Sequence, residues 1–165
     1  MTTQPRSSLP LLSCADGVAA GMTDTLLLIG RILIAALFLM TVWFGSPNVG
    51  YLTSINVIRP DVVSPLARVI EWVIVISLIF GLGTRYGTLL ALIFVVLATV
   101  AAHRWWSYPQ AAQLVQYTFL TKNIAVAGGL IALFVTGGGR FSVDAMLASD
   151  KRAAARRTQS SEPVE

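Results

Sequence analysis

Six polar side chains interrupt an otherwise apolar sequence: Arg31, Arg68, Glu71, His103, Lys122 and Asn123. A carboxylate, an imidazole and an ammonium are groups that hold and pass protons. An ammonium or an amide N–H also stabilises charge developing on an oxygen. Arg68 lies three residues before Glu71, so on a helix the two share nearly one face. Lys122 and Asn123 stand together at the head of "KNIAVAGGL" (122–130). A charge at the centre of a bilayer costs roughly 2.5–3.5 kcal/mol on insertion scales, so ionisable residues in apolar runs are functional candidates by default. A Glu71–Lys122 ion pair would remove two lone charges at once. Such a pair either fixes helix register or serves binding and proton handling. Asn123 can add an interhelical hydrogen bond.

Other chemistries are excluded. Cys14 is the single cysteine, so the chain can form neither an internal disulfide nor a CxxC redox pair. His103 is the single histidine, which rules out bis-histidine haem ligation. No cluster has metal-ligand spacing. No catalytic constellation and no redox ligand is visible, so any cofactor chemistry comes from outside the chain. The net charge of +4 comes without a basic stripe interleaved with aromatics, so nucleic acid is not an expected partner.

The elements that position these residues follow from composition. Of 165 residues, 55% are hydrophobic and 12% charged, and the mean hydropathy is +0.72. That is the composition of a membrane protein. A helix needs about 20 apolar residues to cross the hydrocarbon core. Four runs satisfy this, at about 25–44, 66–83, 86–102 and 119–136. They lack the period-two alternation of a barrel. The fold class is therefore all-α, a polytopic four-helix bundle over residues 25–145. Residues 1–24 read as a cytoplasmic tail and 146–165 as a basic, unstructured cytoplasmic tail. Residues 11–14, "LLSC", faintly resemble a lipoprotein cleavage box, but residues 1–13 hold two prolines and no apolar core. The turn "GLGTRYG" (81–87) joins the second and third spans, while longer loops cover 45–65 and 103–118.

Orientation follows from lysine and arginine counts. Arg6, Arg85, Arg140, Lys151, Arg152, Arg156 and Arg157 fall on one side, against Arg59, Arg68, Arg104 and Lys122 on the other. The richer side is expected in the cytoplasm with both termini. Trp43, Trp72, Trp105 and Trp106 then fall at the outer helix ends, where indoles favour the interface. On these boundaries Glu71 lies about 8 Å and Lys122 about 5 Å from the outer helix ends, level with His103. Arg31 lies about 9 Å from the inner end. Its expected surroundings are the turn near Thr84 and the segment 142–144, so Arg31, Arg85 and Asp144 make a separate inner group.

The sequence resembles the DoxX family of small bacterial membrane proteins over roughly 25–145. The resemblance is carried by Arg31 in "IGRILIAALFL", Glu71 in "VIEWV", "GLGTR" (81–85), His103, "KNIAVAGGL" and "GGGRFSVD" (137–144). It implies a multi-pass inner-membrane protein linked to redox metabolism, with membrane or peripheral redox proteins as partners and a quinone as the fitting cofactor. Glu71, His103 and Lys122 would then polarise the quinone or carry its protons. The alternatives are a non-catalytic scaffold and, less favoured for want of paired broken helices, a small-molecule carrier.

Overall fold

In the computed structural model, residues 10–45 and 48–160 are described, with side chains from Gly21 onward apart from 154, 158 and 160. The described chain is helical, with no strand. The helices are α1 (Pro10–Met40), α2 (Val49–Ser54), α3 (Pro60–Phe80), α4 (Thr84–Ala102), α5 (Gln110–Thr136) and α6 (Val143–Ser160). A π-helical turn, Thr41–Gly45, extends α1, and a 3-10 turn, Trp105–Ser107, follows α4. Four stretches are long and apolar enough to cross a membrane: Gly21–Gly45, Pro60–Phe80, Thr84–Ser107 and Gln110–Thr136.

Each helix is longer than its apolar run, for local reasons. Pro10 opens α1, and proline in a first turn loses no helical hydrogen bond. The following residues contain no further proline before the loop. Residues 10–24, expected as a tail, are therefore helical. Pro60 opens α3 in the same way, so this span starts before Leu66. Gln110 to Thr118 contains no breaker, and α5 starts well before Phe119. Residues 146–160 are helical rather than unstructured, because alanine, lysine and arginine are strong helix formers. Residues 1–9 with Arg6, residues 46 and 47, and residues 161–165 lie outside the described residues.

These extensions correct the depths. Glu71 lies about 16 Å along α3 and Lys122 about 18 Å along α5 from their outer ends. Trp72 lies about as deep as Glu71, so it is not at a helix end, unlike Trp43, Trp105 and Trp106. The shared level of Lys122 and His103 is corrected too. Asn123 on α5 donates to Thr99 Oγ1 on α4 at 2.8 Å, whereas His103 stands opposite Gln116, so Lys122 and Asn123 start about one helical turn deeper than His103.

Packing runs around a ring: α1 against α3, α3 against α4, α4 against α5, and α5 back to α1. The core contains Ala35 and Phe38, Ile74 and Leu78, Ala91 and Val95, and Leu130 and Leu133. Each pair is spaced three or four residues apart, which places it on one helix face. Ile74, Leu78, Ala91 and Leu130 are fully buried. Ala91 shows why the helices can come close: small side chains let packing and dispersion hold helices in lipid. Large apolar side chains such as Leu33, Leu97 and Val135 face outward.

Candidate functional site

A cavity of about 910 Å³ opens at the end of the bundle away from the 81–87 turn, the end expected to face outward. Its walls come from the end of α1 and the π turn, α2, α3, α4 and α5. Phe38, Val42, Leu52, Ile70, Phe94 and Phe119 make the lining mostly apolar. Arg68, Glu71, His103, Lys122 and Asn123 all border it. The five outer residues singled out in the sequence are thus brought to one space. Large apolar cavities with a few convergent polar groups are the usual form of a small-molecule site.

The polar groups are held differently. Glu71 is only 2% exposed, one turn of α3 outward from the Ile74–Leu78 plug. Arg68 is exposed at the rim. His103 caps the end of α4, and its Nδ1 lies 2.8 Å from Gln116 Oε1. An amide oxygen only accepts, so Nδ1–H is the donor in this contact. Phe119 packs against the imidazole at a ring separation of 5.1 Å. Lys122 Nζ lies 5.1 Å from the centroid of the same phenylalanine ring, a cation–π distance. One aromatic ring thus positions both the imidazole and the ammonium. Asn123 is engaged by Thr99, whose hydroxyl donates to Val95 O at 2.6 Å, so the amide ties α5 to α4.

Three contributors were not read from the sequence. Gln116 belongs to the series Gln110, Gln113 and Gln116, whose three-residue spacing marks a polar side on the α5 extension. Gln113 donates from that side to Tyr108 O at 3.1 Å. Tyr108 donates to Ala102 O at 2.8 Å. Tyr51, on the cavity wall from α2, is pushed above its ordinary pKa by burial and then by the neighbouring Tyr108 hydroxyl.

The inner end is built on another plan. Arg31 is completely buried. Its Nη2 donates to Phe141 O at 2.6 Å. Its Nε and Nη1 make no hydrogen bond among the described residues. Asp144 accepts from the backbone N–H of Gly83 at 2.7 Å and of Thr84 at 2.8 Å, at the start of α4. A carboxylate there also meets the positive end of the helix dipole. Burial alone would raise the Asp144 pKa, but those two N–H groups and the Arg31 charge together hold it below the ordinary value. Asp144 N donates in turn to Gly81 O at 3.1 Å.

Glycine makes this packing possible. Gly81 sits at φ +65°, and a Cβ there would collide with Arg31 Nη1 and Ser142 Cβ. A Cβ on Gly138 would lie 2.6 Å from Thr84 Oγ1 and 2.8 Å from Ser142 Cβ. Arg85, grouped with Arg31 from the sequence, is exposed and donates instead to Val135 O at 3.4 Å, at the end of α5. Asp24 adds a further tie, accepting from Arg140 N at 2.8 Å.

Comparison with known proteins agrees with this architecture. The DoxX family model matches residues 26–104. The chain is 29% identical to the inner membrane protein YphA of Escherichia coli (strain K12) over 126 residues, which covers 72% of this chain and 88% of that one. It is 27% identical to the inner membrane protein YqjF of the same organism over 130 residues, covering 76% and 95% respectively. No solved structure matches the chain. The matched segment runs from α1 to just past His103 and so includes Arg31, Arg68 and Glu71; over this segment the chain is similar to the DoxX family.

Proposed function

We propose that the protein is an accessory subunit of a redox complex in the bacterial inner membrane, and that it holds a quinone in the outer cavity. The observation that carries this reading is the cavity itself, apolar on most of its wall and bordered by Glu71, His103 and Lys122. A quinone has the matching form, an apolar ring and tail with two carbonyl oxygens. The Lys122 ammonium would hold one carbonyl. A bound quinone would supply two-electron, two-proton chemistry, with the electrons exchanged with a redox protein partner. Glu71 and His103 would be the groups suited to hand over or receive the protons.

The reading places both termini in the cytoplasm, on the side richer in lysine and arginine. A reporter active only outside the cytoplasm, fused after Glu165, is then silent. Strong reporter activity reverses the orientation.

The site is tested by purifying the protein in mild detergent and extracting bound small molecules for mass spectrometry. Quinone retained by the native protein and lost from a Glu71→Gln/Lys122→Met variant supports the proposal. Phospholipid alone in the extract overturns the quinone assignment. A stable protein partner recovered without quinone moves the protein to the scaffold alternative.

A further inference from the structure

We infer that the outer cavity selects ligands whose polar head carries negative charge, so that a quinone with an ionised ring hydroxyl fits it better than a neutral one. This rests on the quinone reading for the ring and adds the charge. Two cations, Arg68 and Lys122, and one carboxylate, Glu71, border the cavity, which leaves positive charge in excess on its wall. A protonated His103 would only add to that excess. Nothing else at this end redresses the balance. The other acid there, Asp61, is bound by Arg59 at 3.3 Å on the surface, where both side chains are well exposed. Asp24 and Asp144 are held at the opposite end, by Arg140 N and by the start of α4. Arg104, next to His103, is exposed and stands as a further cation outside the cavity wall.

The charges are also placed unequally. Glu71 is buried, while Arg68, nearly one turn of α3 closer to the opening, is exposed at the rim. Lys122 reaches the cavity from α5, with its ammonium 5.1 Å from the Phe119 ring centroid. A ring face attracts a cation through its quadrupole but carries no charge to neutralise it. The two cations thus come to one apolar space from different helices. Guanidinium and ammonium groups donate hydrogen bonds and never accept them. A neutral carbonyl satisfies such a donor and leaves the excess charge as it was. An ionised oxygen satisfies the donor and offsets the charge. Against an apolar wall that difference weighs more than it does in water. Charge complementarity of this kind separates ligands of one shape.

The test compares two quinones of nearly one shape by equilibrium dialysis against the full chain in phosphatidylcholine nanodiscs, with empty discs as the blank. Lawsone is a naphthoquinone whose ring hydroxyl is ionised at neutral pH, and its methyl ether is neutral. The native protein is expected to bind lawsone about tenfold more tightly than the ether. Arg68→Gln and Lys122→Met each bring that ratio down toward one. Arg104→Gln, which removes a cation that is not on the cavity wall, leaves it in place. Should a cavity variant fold poorly, the ratio on the native chain decides. Equal affinity for the two quinones, or tighter binding of the ether, overturns the inference and leaves the quinone reading standing. Binding of neither overturns both. A ratio that no cavity variant lowers, or that Arg104→Gln lowers as much, overturns the inference as well, because the charges on the wall then do not set it. Dodecanoate, an anion with a chain and no ring, separates the two sources of a charged head. If it displaces lawsone at equal concentration, the preference for an anion stands and the quinone reading falls.

Discussion

The two ends of the bundle treat buried charge in opposite ways. At the inner end Arg31 and Asp144 are closed in by Gly81, Gly138 and Ser142, and their hydrogen bonds go to main-chain atoms. At the outer end Glu71, His103 and Lys122 border about 910 Å³ of open space. A charge in a tight main-chain cradle has no freedom to meet a ligand. A charge on a cavity wall can. The difference separates residues that hold the fold from residues that can act, although both groups look alike as charges in apolar runs.

That contrast can be broken most forcefully at Gly81. A β-branched residue at φ +65° is strained by about 1–3 kcal/mol. Overpacking against Arg31 and Ser142 adds about 1–3 kcal/mol more. Gly81→Val is therefore expected to abolish monodisperse protein in size-exclusion chromatography. Normal yield would show that the inner lock is not rigid.

Asp144→Asn comes next. The amide oxygen can still accept one of the two N–H bonds, so the expected loss is about 1–3 kcal/mol. The pH dependence has a definite sign. The folded carboxyl titrates below its ordinary value, so its stabilising contribution is present above the unfolded pKa. That contribution is lost as pH falls through the lower, folded pKa. Thermal unfolding should be flat in this respect around neutrality and fall only in acid, and Asp144→Asn should remove that acid-dependent part. Ligand retention in the outer cavity should be unchanged.

The outer end gives the converse result. Glu71→Gln and Lys122→Met should each reduce ligand retention about tenfold, near 1.4 kcal/mol. If the two charges also pair, each single change strands a charge and lowers folded yield, while the double change restores it. Additive effects on yield in the double-mutant cycle would remove the pairing. The smallest effect is expected from Gln116→Leu. It removes the side-chain acceptor from the imidazole, so folding should be intact and ligand retention should fall only slightly. Unchanged retention would take the His103–Gln116 contact out of the site.

Much of this was legible in the sequence because lipid is a demanding solvent. Unsatisfied backbone groups force helices, and four apolar runs gave four spans. Arg31 was placed beside the turn at Thr84 and the 142–144 segment by depth alone. Helix ends were less legible, since Pro60 and Gln110 read as loop residues yet open helices, and this put Glu71 and Lys122 too shallow. Gln116 and the Tyr51–Tyr108 pair were missed because no charge marks them. Asn123 makes the interhelical hydrogen bond expected of it, but its partner Thr99 carries no pattern that could have named it.

The inner lock has a consequence for how relatives of this chain should be compared. Arg31 grips the carbonyl of Phe141, and Asp144 grips the amides of Gly83 and Thr84. These contacts use main-chain atoms and do not depend on which side chains stand at the gripped positions. Paired substitution, the usual signature of touching residues, should therefore be faint between Arg31 and position 141 or between Asp144 and positions 83 and 84. Covariation around this lock should instead link Arg31 with the size allowed at positions 81 and 138, so that a shorter residue at 31 accompanies the arrival of alanine there.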